Sequence, residues 1–112
     1  MIKKFKVAFR GLLLATKDKS IRLQLFLAVV TILFFYFLKI TYFEWLIVAL
    51  LIGLVVSMEI INTCIERLCD LYDKSHNDKI KYIKDLSSGA VLFSCIVAAF
   101  VALIIIINKF GG

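Results

Sequence analysis

Three long stretches without a charged residue dominate this chain. Leu23–Leu38 runs for 16 residues, Trp45–Met58 for 14 and Leu86–Asn108 for 23. A helix rises 1.5 Å per residue, so about 20 apolar residues cross the hydrocarbon of a bilayer. The first run reaches that length when Arg22 and Lys39 extend to the interfaces, as long basic side chains do. The second reaches it by continuing through Ile61, which puts Glu59 near the membrane boundary. The third is long enough alone. With 62% hydrophobic residues and a mean hydropathy of +0.99 in only 112 residues, the chain cannot hide its apolar side chains in a soluble core. The same composition excludes disorder, which requires few large apolar residues.

Before the first run, Ile2, Phe5, Phe9, Leu12 and Leu13 recur every three or four residues, with Lys3, Lys4, Lys6 and Arg10 between them. That pattern predicts an amphipathic helix lying in the interface. A secretory signal is rejected because Lys17, Asp18 and Lys19 interrupt a short apolar stretch. The expected architecture is an all-α integral membrane protein in one domain, 1–112. It has an interfacial helix over 1–20 and transmembrane helices over 21–40, 43–66 and 86–108.

The net charge of +6 conceals a lopsided distribution. Seven of the 14 basic residues precede position 23 and five more (Arg67, Lys74, Lys79, Lys81, Lys84) fall between the second and third runs. Only Lys39 and Lys109 lie on the other side. The positive-inside rule then places the N-terminus in the cytoplasm and the C-terminus outside. Nucleic acid is not an expected partner, because these charges lack a soluble face with stacking aromatics. Cys64, Cys69 and Cys95 form no C-x-x-C pair and sit among apolar residues, where cysteine packs as a small hydrophobe. With His76 the lone histidine, they make no tetrahedral metal set.

Seven of the eight acidic residues share the basic side, which the topology rule does not require. On a helix continuing the second run, Glu66 and Asp70 lie within about 20° of Glu59, and Asn62 and Thr63 within about 60°. Three carboxylates, an amide and a hydroxyl therefore form one stripe that starts at the membrane boundary. For Asp70 and Asp73 a solvated helix end is the plain alternative. Glu59 is different, since a carboxylate near hydrocarbon is costly unless paired or functional. Basic partners or a divalent cation could hold like charges at this spacing. Mg²⁺ suits the second case because it takes oxygen ligands, some of them from phosphate. The third membrane helix is read as opening at Lys84-Asp85-Leu86-Ser87-Ser88-Gly89-Ala90, with a cation at the boundary and small residues that permit close helix approach. Clustered carboxylates, an amide and a lysine are a set that phosphoryl transfer uses. There is no G-x-x-x-x-G-K-[ST] loop.

Glu59-Ile-Ile-Asn62-Thr63-Cys64-Ile65-Glu66, then Asp70, then Lys84-Asp85 with Gly89-Ala90-Val91 resembles the signature of the small bacterial diacylglycerol kinase and undecaprenol kinase family. Length, the first helix with Ala8-Phe9-Arg10-Gly11-Leu12, and three spans extend the resemblance over nearly the whole chain. It implies an ATP- and Mg²⁺-dependent kinase of a lipid hydroxyl, assembled as a homotrimer with shared sites in the bacterial cytoplasmic membrane. By the same resemblance, Glu59 would be the general base, and Glu66 would bind the metal that accompanies ATP. Asn62 and Asp70 would line the site, Lys84 would reach the transferring phosphate and Asp85 would contact the nucleotide. Glu59 and Ser88 are expected to meet the lipid. Asp18 matches the family's second metal carboxylate if one residue is missing after Gly11, although it is shorter than the usual Glu. Cys64 stands where the family has Ala. The Asn62-Thr63 pair and the short N-terminus look more like the undecaprenol kinase branch, so the resemblance favours undecaprenol over diacylglycerol. A small multi-span transporter is the rival class, but it needs about four spans and an acid in the first, which has none here. A membrane protein without chemistry is the third.

Overall fold

The computed structural model describes residues 1–72 and 77–111. Asp73, Lys74 and His76, noted above, lie outside the described residues. Four helices follow one another: α1 (Ile2–Ala15), α2 (Lys19–Leu38), α3 (Tyr42–Tyr72) and α4 (Asp78–Gly111), with no strand among the described residues. Helices α2, α3 and α4 are each long and apolar enough to cross a membrane.

Local chemistry sets each boundary. Asp18 holds an extended backbone and caps α2, its Oδ1 accepting the Ser20 N–H at 3.1 Å and the Ser20 hydroxyl at 2.7 Å. This cap separates α1 from α2, so the interfacial helix ends at Ala15 and the next begins at Lys19. Lys39 ends α2 in the left-handed region at φ 57°, a conformation normally left to Gly or Asn. Thr41 and Glu44 form a reciprocal capping box that starts α3. The Thr41 N–H donates to Glu44 Oε1 at 2.9 Å, and the Glu44 N–H donates to Thr41 Oγ1 at 3.2 Å. The last helix opens earlier than the Lys84 start expected from the sequence. Asn77 caps it through Oδ1 and the Lys79 N–H at 2.8 Å, and Ile80 is buried within its first turn. Apolar periodicity across 78–85 is masked there by five charged residues, Asp78, Lys79, Lys81, Lys84 and Asp85.

Contacts across the bundle show antiparallel neighbours. Helix α4 packs along α3 and α2 packs on α3, while α1 buries none of its residues. At 31 and 34 residues, α3 and α4 are about 46 and 51 Å long, well beyond the roughly 30 Å of hydrocarbon. Phe35, Ile40, Val48 and Ile105 form the buried apolar cluster at one end, with Trp45 and Leu38 packed against it. From that end an apolar groove of about 380 Å³ runs between the three long helices, floored on α4 by Ala98, Ala99 and Ala102. It finishes at Gln24, Val56 and Cys95. Cys69 is buried, Cys95 half-buried and Cys64 exposed, all as free thiols. Most large apolar side chains face outward, including Leu50, Phe93 and Phe100. In water such a surface would drive aggregation; in lipid it is the ordinary surface of a spanning protein.

Candidate functional site

The polar stripe lies at the opposite end of the bundle from the apolar cluster. Helical spacing turns Glu59 and Asn62 toward α4, where they are 8% and 7% exposed. Thr63 is half-buried, and its hydroxyl donates back to the Glu59 carbonyl at 3.0 Å. Glu66 and Asp70, one and two turns further along, are exposed beyond the packed region. Over seven residues the helix rises about 10.5 Å from Glu59 to Glu66. That span is enough to seat a phosphoryl group between the two carboxylates.

Asn62 is the hinge pin of the arrangement. Its Nδ2 donates to Glu66 Oε1 at 2.7 Å, and its Oδ1 accepts the Ser87 hydroxyl of α4 at 2.6 Å. A buried amide has both a donor and an acceptor to satisfy, and here each finds a partner. Lys84, half-buried on α4, donates to Asp70 across the same interface. Asn62 thus ties Glu66 to Ser87, and Lys84 separately ties α4 to Asp70. Asp85 is exposed and pairs with Lys81 along α4 at 2.9 Å. Ser88 is exposed and joins none of the described hydrogen bonds; Ser87 is the serine that meets the stripe. Sequence reading missed this choice, although Ser87 is three residues from Lys84 and four from buried Val91, hence on the same helical face.

Two further positions emerge only in three dimensions. Arg67 reaches from α3 to Asp18, Nη2 to Oδ2 at 3.0 Å, tying the start of α2 to the stripe. Both oxygens of Asp18 are therefore engaged, one by Ser20 and one by Arg67. The Ser20 hydroxyl first, and Arg67 second, hold the Asp18 carboxyl below its ordinary 3.8. The buried Glu59 carboxylate, by contrast, accepts no hydrogen bond from any of the described residues.

No three His, Cys, Asp or Glu side chains among the described residues cluster closely enough to cage a metal. The donors present are carboxylate oxygens, among them those of exposed Glu66. That set fits a hard cation such as Mg²⁺, held by one or two carboxylates and completed by water and phosphate oxygens. It does not fit zinc, which takes three or four nitrogen, sulfur or carboxylate ligands from the protein.

Fold and site together define a small helical protein with three helices long and apolar enough to cross a membrane and with carboxylate, amide and lysine side chains gathered toward one end of the α3–α4 pair. The profile described as prokaryotic diacylglycerol kinase matches residues 6–106, and the chain belongs to that family. Undecaprenol kinase of Bacillus subtilis (strain 168) is a similar protein, 34% identical over 74 residues. The match covers 66% of this chain and 60% of that relative's length. No solved structure matches the chain significantly.

Proposed function

We propose that this protein phosphorylates the hydroxyl of a membrane lipid, using ATP with Mg²⁺ at the cytoplasmic face of the bacterial inner membrane. Undecaprenol is the favoured acceptor, and diacylglycerol is the second. The observation that carries this reading is Glu59: a carboxylate only 8% exposed, on the same helical face as Glu66 and Asp70. A lipid hydroxyl never leaves the membrane boundary, so its base must come to it. The apolar groove supports the same reading, since it ends at Val56, one helical turn from Glu59. An alkyl or prenyl chain lying in it would deliver its hydroxyl to that carboxylate. The family and the Bacillus relative both bear the names of lipid kinases.

In this reading Glu59 takes the proton from the acceptor hydroxyl as that oxygen bonds to the γ-phosphorus and the bond to ADP breaks. Lys84, released from Asp70, faces the charge on the transferring phosphoryl group. Asn62 holds Glu66 in place, while Asp70 and Asp85 border the nucleotide and Ser88 the lipid. Glu66 and Asp18 are the carboxylates that would hold Mg²⁺. When bound, the ion would neutralise phosphate charge and align it for in-line displacement. The shared polar stripe and the outward apolar surface suit a homotrimer whose sites draw on neighbouring copies.

The test is a mixed-micelle assay with Mg·ATP and either undecaprenol or diacylglycerol. Faster turnover of undecaprenol is expected. Glu59→Gln should lower turnover by roughly 10²–10⁴ and leave ATP affinity nearly unchanged, the usual effect of losing a general base. Phosphorylation of neither lipid would overturn the proposal, and wild-type turnover in Glu59→Gln would remove Glu59 from its role.

A further inference from the structure

Arg67 has no role in the scheme above, yet it sits beside Glu66 and grips Asp18. On α3 it lies within about 40° of Thr63 and about 60° of Asp70, on the flank of the acidic stripe. The Arg67 side chain is 73% exposed, against 18% for that of Asp18, and contacts Asp18 through a single nitrogen, which leaves further N–H donors for another partner. With the arginine side open to solvent and only one hydrogen bond, the pair is weak enough for a better anion to take the arginine from it. A polyphosphate is such an anion, because its oxygens match the guanidinium fork and carry more charge than one carboxylate.

We infer that Arg67 is a phosphate-binding arm parked on Asp18, exchanged onto the nucleotide phosphates when these arrive and freeing Asp18 for the accompanying cation. The exchange leaves each group facing an opposite charge: Asp18 trades a guanidinium for a divalent ion, and Arg67 trades a carboxylate for phosphate oxygens. It also explains how one carboxylate can serve both as a brace and as a metal ligand. While parked, Arg67 competes with the cation for Oδ2, whereas the Ser20 contacts to Oδ1 need not change. The inference rests on the kinase reading for the identity of the phosphate ligand, but its first consequence concerns the nucleotide-free protein alone.

The experiment uses the full chain in lipid nanodiscs and Mn²⁺ as a spin-active substitute for Mg²⁺. Without nucleotide, Arg67→Gln should tighten Mn²⁺ binding about two- to fivefold, the range set by losing a weak surface pair, and Asp18→Asn should weaken it. With Mn²⁺ saturating, Arg67→Gln should weaken binding of a non-hydrolysable ATP analogue by roughly tenfold, as expected for a lost charge-assisted bond. Unchanged Mn²⁺ affinity in folded Arg67→Gln would overturn the exchange, even if its thermal midpoint fell, because a mere brace would do only that. If Arg67→Gln does not fold, Arg67→Lys takes its place. It keeps the pair, so Mn²⁺ affinity should hold while analogue binding falls, and unaltered analogue binding would overturn the inference. Lipid turnover separates the two readings. Wild type that binds Mn²⁺ as described but phosphorylates no lipid sinks the kinase reading only. Active wild type whose Arg67→Gln form shows no Mn²⁺ shift sinks the exchange only.

Discussion

Asp18 and Lys39 show how much single residues decide at the ends of α2. Asp18 is charged, capped and paired, and its carboxyl titrates below the ordinary value because the Ser20 hydroxyl and Arg67 favour the ionised form. A group with a depressed folded pKa adds stability that is complete above its unfolded pKa and is lost as pH falls through the folded one. Acid melts in metal-free buffer should therefore show a loss of stability below about pH 4 that is absent in Asp18→Asn. Parallel curves for the two proteins would show that the pair does not act in folding. Lys39 carries the opposite lesson. It holds a left-handed backbone that costs an L-residue roughly 1–2 kcal/mol, and its carbonyl accepts the Lys109 ammonium at 3.1 Å. Lys39→Gly removes the strain and keeps that carbonyl, so its thermal midpoint in detergent should rise. A fall would mean that the lysine side chain itself anchors the interface.

At the scale of the elements, α3 and α4 are joined by polar contacts near one end and apolar packing at the other. Ser87 is the α4 side of the polar contact. Ser87→Ala leaves the Asn62 Oδ1 buried and without its donor, which costs about 1–3 kcal/mol and loosens Glu66. Ser88→Ala should leave stability unchanged. Chemical denaturation of both variants checks the difference, and equal midpoints would place the wrong serine at the site. The pattern at 3.6 residues was sufficient to find the stripe on α3, because all of its members lie on one helix. It was not sufficient to choose between adjacent serines on α4, since that depends on how α4 is rotated against α3. The capping box at Thr41–Glu44 is legible as T-x-x-E, because both of its members also lie on one helix end. Arg67 left no mark in the pattern at all: its partner is 49 positions away in sequence.

For the whole molecule, twelve basic residues on one side and two on the other predict an N-terminus in the cytoplasm by the positive-inside rule. Cysteine introduced at Tyr42 in a cysteine-free background should react with an impermeant maleimide in intact cells, and cysteine at Lys79 only after lysis. The reverse pattern would invert the topology and put the proposed site out of reach of cytoplasmic ATP. The three membrane-crossing helices and the interfacial helix were written in the sequence because hydrophobicity and charge act locally, residue against solvent. The stripe was written there too, because a helix converts spacing into direction. Which carboxylate is buried, which serine meets Asn62, and that Arg67 holds Asp18 were decided only when the helices packed. Those facts depend on rotation and depth between elements, and such relations arise from side-chain fit across an interface that no single segment encodes.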